Sequence, residues 1–184
     1  MPLISLVNAT DLDSWAKRRD SQAILPQLVR RLVYGCKGGV RARFPSHEGV
    51  AIKGWDGIVT SEGAREYIPA GLSGWELSSQ RNPLSKANDA YETRKKNPQG
   101  LDRRKTTFVF VTPRSWPGKE GWIRQKEAEG KWKEVRAYDA HDLEGWLELT
   151  PAVHDWISRL LGKHPEDAIS LESFWTDGRK RRGR

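Results

Sequence analysis

The chain has 184 residues, enough for one domain with a substantial core, and carries a formal net charge of +8. No stretch approaches the roughly 18 consecutive apolar residues of a membrane span, and the opening MPLISLVNATDLDSW lacks a secretory signal, so a soluble, cytoplasmic protein without a membrane partner is expected. Cys36 is the only cysteine, which excludes an intramolecular disulfide and a cysteine-built zinc cluster; a lone cysteine more often packs as a small apolar residue than acts as a nucleophile. The charge suggests a polyanionic partner, but five of the 32 basic residues fall in the closing GRKRRGR, leaving 27 against 24 acidic ones. That tail either binds nucleic acid nonspecifically or is a disordered remnant of a longer chain, and the nearly neutral body puts the burden on local constellations.

In chain order, a short helix is expected after Thr10. A longer one follows over Ser21 to Tyr34, where Ile24, Leu25, Leu28, Val29, Leu32 and Val33 recur at helical spacing. Gly35 and Gly38-Gly39 end it. Strands are expected at Val40 to Phe44, within AIKGWDGIV and at SGWELSS. Asn82-Pro83 reads as a cap followed by proline at the first helical position, opening a helix to Lys96 that Asn97-Pro98 stops. TTFVFVTP, apolar and β-branched, is expected to be the central strand, covered on both faces. A helix over Gly118 to Glu129 precedes the strand WKEVRAYD. Asp139 and Asp142 are placed to cap a helix carrying Leu143, Trp146 and Leu147, and Thr150-Pro151 opens a last helix that Gly162 ends.

The order describes an α/β domain with a central mixed sheet flanked by helices. Residues 1–20 read as an N-terminal arm with a short helix, 21–163 as the domain, and 164–184 as a linker and basic tail.

The chemistry concentrates in two strands. In SGWELSS, Trp75 and Leu77 face one side while Glu76, Ser78 and Gln80 face the other. Asp56 lies in an otherwise apolar segment, where an acid is costly unless paired, hydrogen-bonded or bound to a cation. If the two strands are neighbours, Asp56 and Glu76 meet at one sheet end, and two hard oxygen ligands with open water positions suit Mg²⁺ or Mn²⁺. The plainer alternative is a turn-capping acid and an exposed strand residue. Lys86, in the first turn of the following helix, adds a cation beside the positive end of the helix dipole, where a phosphate can sit; alone it would read as a solvated surface residue.

The set formed by Gly54-Trp55-Asp56-Gly57, Trp75-Glu76 and the helix with Lys86-Ala87-Asn88 and Tyr91-Glu92-Thr93-Arg94 resembles the PD-(D/E)XK (restriction-endonuclease-like) nuclease modules found at the N-terminus of large prokaryotic defence proteins, often before an NTPase region. The resemblance extends from about Leu25 to Trp175. It implies a restriction-endonuclease-like core in which Asp56, Glu76 and the Leu77 backbone carbonyl hold Mg²⁺ or Mn²⁺. The implied function is that of a metal-dependent endonuclease effector hydrolysing nucleic acid, DNA ahead of RNA, in antiviral defence. Further copies of the chain would associate through a larger parent protein. The family's lysine, two residues after the glutamate, is here Ser78. Lys86 is the candidate replacement, Gln80 the alternative polar contributor, and Arg94 a candidate contact to backbone phosphates. With no replacement, the chain would be a degenerate, noncatalytic module that binds nucleic acid or a partner protein.

Nine tryptophans are many for this length, yet Trp75, Trp146 and Trp156 fall on apolar faces, so packing explains them better than base stacking; Trp55, beside Asp56, stays open between the two. The histidines His47, His141, His154 and His164 lack ligand spacing. The chain has no G-x-x-x-x-G-K-[ST] sequence, so NTP hydrolysis is not expected of these residues.

Overall fold

A computed structural model describes residues 6–36, 38–44 and 54–163. His47, His164, Trp175 and the basic tail lie outside the described residues, as do residues 51–53 of the expected second strand. Eleven elements follow in order: α1 (Ala9–Trp15), α2 (Ser21–Gly35), β1 (Val40–Arg43), β2 (Gly57–Ser61), β3 (Gly71–Leu77), α3 (Pro83–Lys96), β4 (Thr106–Val111), α4 (Lys119–Ala128), β5 (Glu134–Tyr138), α5 (Ala140–Glu148) and α6 (Pro151–Leu160).

Local chemistry sets most of the boundaries. The Asn8 side chain accepts from the Asp11 N–H at 3.0 Å and the Asp11 carboxylate accepts from the Asn8 N–H at 3.1 Å, so α1 starts at Ala9, ahead of the start expected after Thr10. Asn82 accepts from the Ser85 N–H at 3.1 Å ahead of Pro83. Asp139 and Asp142 form a reciprocal capping box on α5, and Gly162, at φ +72°, takes the left-handed conformation that terminates α6.

The five strands form one mixed sheet in the order β1-β2-β3-β4-β5. β1, β2 and β3 are an antiparallel meander; β4 and β5 join parallel, each after a helical crossover. All six residues of β4 are buried, as the unbroken apolar run implies, but the middle position belongs to β3. Hydropathy misplaced the centre because β3 carries Gly71, Ser73, Gly74 and Glu76, which dilute its apolar pattern.

Two cores cover the two faces. One joins α1, α2, α5 and α6 to Val59, Trp75, Leu77, Val109, Val111 and Tyr138. Leu12 and Trp15 of α1 belong to it, so the short N-terminal helix is packed into the domain. The other core joins α3 and α4 to Trp55, Phe108, Phe110, Trp132 and Val135 and is mostly aromatic. Glu92, Lys95, Lys126 and Glu129 close its rim, with Lys95 Nζ 2.6 Å from Glu92 and Lys126 Nζ 3.0 Å from Glu129.

Two glycines permit the close approaches this packing needs. A Cβ on Gly74 would lie 2.7 Å from the Trp55 indole, and one on Gly57 would lie 2.2 Å from the Phe44 ring. Gly74 is thus the gap in β3 over which Trp55 lies. Gly74→Ala is expected to lower stability by about 1–3 kcal/mol, the usual cost of overpacking a tight site. Urea unfolding measures it, and an unchanged midpoint would mean that Trp55 moves aside freely.

Candidate functional site

Gly57 is paired with Trp75 in the antiparallel β2–β3 register, so Asp56, one residue ahead of β2, faces the end of β3. Its Oδ2 accepts from the Leu77 N–H at 2.8 Å. Asp56 stands at the mouth of β2, one residue ahead of Gly57, and Gly54 just before it has φ +146°. Trp55 turns inward, packs 5.7 Å from Phe108 and 5.5 Å from Trp132, and donates from Nε1 to the Pro98 carbonyl at 3.1 Å. It is 3% exposed, which settles its role as core rather than a platform for bases.

Glu76 emerges from β3 on the face opposite Trp75 and Leu77, as alternation requires. Its Oε1 accepts from Nε of Arg94, whose Nη2 donates to the Gly54 carbonyl and whose Cζ lies 5.2 Å from the centre of the Trp55 ring. The side chains of Arg94 and Glu76 are each only 12% exposed. Arg94 therefore sits within the site, paired with an acid, rather than on an outer surface. Its position in the last turn of α3, with Lys95 and Lys96, also suits the negative end of that helix dipole.

The two acids lie close enough to affect each other. The Glu76 carboxyl is pushed up to about 7, chiefly by burial and further by the Asp56 charge, against the Arg94 hydrogen bond, which favours its ionised form. Burial also raises Asp56, against the Leu77 N–H and the Arg94 charge, which favour its ionised form. Both carboxylates are thus held where their negative charge is costly, and a nearby positive charge is strongly favoured.

A cleft of about 260 Å³ opens beside Glu76, lined by Gln22, Leu77, Ser78, Gln80 and Lys86 among others; Asp56 is not part of its lining. Lys86 shares this cleft with Glu76, although its nearest carboxylate is that of Asp89, at 3.8 Å. Ser78 continues the pairing past β3 by donating its N–H to the Val111 carbonyl at 3.0 Å, and its Oγ accepts from the Gln80 N–H at 3.2 Å. The Leu77 carbonyl accepts from Gln22 Nε2 at 3.3 Å, and Gln22 Oε1 accepts from the Ser79 N–H at 2.9 Å. Gln22 was not among the residues read from the sequence. The available signal was the polar pair Ser21-Gln22 opening an amphipathic helix; the Ser21 hydroxyl also meets that of Ser79, at 2.9 Å.

Among the described residues, no cluster of three or more His, Cys, Asp or Glu side chains could hold a metal ion. Asp56 and Glu76 would supply two carboxylates, with a backbone carbonyl and water completing the shell. An all-oxygen donor set of that kind suits Mg²⁺ or Mn²⁺ better than zinc, which prefers nitrogen and sulfur ligands. His154 is committed to the core, its Nε2 2.8 Å from the Val7 carbonyl, and His141 is exposed. Cys36 Sγ packs 3.4 Å from Trp146 Nε1. No described helix is long and apolar enough to cross a membrane.

No protein-family model, curated protein or solved structure matches the chain.

The raised Glu76 pKa has a definite sign in stability. A carboxyl whose folded pKa exceeds its unfolded value of 4.5 stabilises the fold at low pH, and that contribution is lost as pH rises through about 7. Glu76→Gln is therefore expected to gain thermal stability relative to the native chain as pH rises from about 5 to about 8. Parallel melts across that range check it; a gap that does not change with pH would refute the assignment.

Proposed function

We propose that the chain is a metal-dependent nuclease domain of the PD-(D/E)XK type, with a restriction-endonuclease-like core, that hydrolyses phosphodiester bonds of nucleic acid, DNA ahead of RNA, in antiviral defence. The observation that carries the reading is the approach of Asp56 and Glu76 at one sheet end, with Asp56 hydrogen-bonded to the Leu77 N–H. The order of the antiparallel meander, the α3 crossover and parallel β4 supports it, since it brings α3 against this sheet end, with Arg94 of its last turn on Glu76 and Lys86 of its first turn in the same cleft as Glu76.

Asp56, Glu76 and the Leu77 carbonyl would hold Mg²⁺ or Mn²⁺, and Gln22 orients that carbonyl from α2. When bound, the divalent ion would polarise the scissile phosphate and make water a better nucleophile. Lys86 would orient the attacking water and offset charge developing on the phosphate, taking over from the lysine that Ser78 replaces. No side-chain nucleophile is needed, so no covalent enzyme intermediate forms.

The second reading is a noncatalytic module of the same fold that binds nucleic acid or a partner protein. Two observations favour it: serine at position 78, and the Lys86 amine lying nearest to Asp89. Incubation with plasmid DNA and Mg²⁺ or Mn²⁺ separates the two. The nuclease reading expects nicked or linear product that Asp56→Ala and Glu76→Ala each abolish, and a rate on the order of a hundredfold lower in Lys86→Ala. Cutting that persists in both carboxylate variants would sink the assignment. Binding without cutting, even after forced dimerisation, would favour the second reading.

A further inference from the structure

We propose that Arg94 is a built-in counter-ion occupying the place of the divalent cation, so that an ion reaches Glu76 only by displacing the guanidinium. The inference rests on reading Asp56 and Glu76 as the cation site and adds a condition on how that site fills.

The geometry ties one guanidinium to both halves of the site. Nε donates to the Glu76 carboxylate, and Nη2 donates to the carbonyl of Gly54, two residues ahead of Asp56. The Trp55 ring, 5.2 Å from Cζ, supports the group from one side, and little of the side chain reaches solvent. A divalent ion coordinated by Glu76 would need the carboxylate that Arg94 now holds, and two cations in so enclosed a space repel each other strongly.

The arrangement also explains how the chain tolerates Ser78. Without a lysine on β3, Glu76 has no cation from its own strand, and α3 supplies one from its last turn, 18 residues away in sequence. Lys86, whose nearest acid is Asp89, does not supply this counter-charge to Glu76; its proposed part is with the attacking water and the phosphate. The Gly54 carbonyl and the Trp55 face do not depend on Glu76, so Arg94 keeps supports beside the cleft when the ion enters. Its five-donor fork is then available to a phosphate. Ion entry and exposure of a phosphate-binding arginine are thus one event. Because the coupling is reciprocal, weakening the Arg94–Glu76 contact must tighten the ion.

Calorimetric titration of the full chain with Mn²⁺ tests this. Arg94→Gln is expected to bind Mn²⁺ on the order of tenfold more tightly than the native chain, with Arg94→Lys nearer the native affinity. A Mg²⁺ titration followed by ¹⁵N NMR on the native chain gives a second readout that needs no folded variant. The Arg94 Nε–H signal should shift strongly as the ion binds. Equal or weaker Mn²⁺ binding by folded Arg94→Gln, or an unmoved Arg94 Nε–H signal at saturating Mg²⁺, would overturn the proposal. Asp56→Asn and Glu76→Gln distinguish the levels of failure. If they abolish Mn²⁺ binding while Arg94→Gln leaves it unchanged, only the counter-ion role falls. If both bind Mn²⁺ as well as the native chain, the cation site itself is wrong and this inference falls with it.

Discussion

The hydrogen bond from the Leu77 N–H to the Asp56 carboxylate joins the two segments on which the candidate site depends. It fixes the mouth of β2 against the end of β3 and keeps Asp56 from turning outward into solvent. Trp55, the residue before Asp56, packs into the aromatic core over Gly74 and anchors the segment that presents the acid. Burial of a side chain of that size is worth about 1.5–3 kcal/mol, enough to hold the neighbouring acid in a position that raises its pKa. The apolar packing on one side of the sheet thus sustains an unfavourable electrostatic arrangement at its end.

Glu76 shows the same tension more sharply. Its charge is disfavoured by burial and by Asp56 and favoured by Arg94. Three agents can relieve it: a proton, a guanidinium or a divalent ion. The fold provides the second, and the first competes with it near neutral pH.

What could be read from the sequence was what depends on near neighbours. Asn82-Pro83, Asp139 with Asp142, and Gly162 mark helix ends through contacts within a few residues, and they stand where local chemistry puts them. Strand alternation correctly set Trp75 and Glu76 on opposite faces for the same reason. The contacts that the sequence did not show are long-range. Arg94 reaches Glu76 across 18 residues and Gly54 across 40, and Gln22 reaches Leu77 across 55, separations that no periodicity encodes. The place of β3 at the middle of the sheet was hidden because the residues that build the site also break its apolar run. Gly74 was the visible clue, since a glycine inside a strand signals that another group comes close.

The outer strand β1 has a consequence for the behaviour of the protein in bulk. Among the described residues it pairs only with β2, and its exposed positions alternate with half-buried ones, Arg41 and Arg43 outward and Val40 and Ala42 inward. An unpaired strand border is a template on which other chains can assemble, and cationic side chains along it repel an incoming copy carrying the same charges. The two arginines thus set like charges along β1, which disfavours pairing with a second copy of the same strand, and the Tyr34 hydroxyl already donates to the Ala42 carbonyl at 2.7 Å.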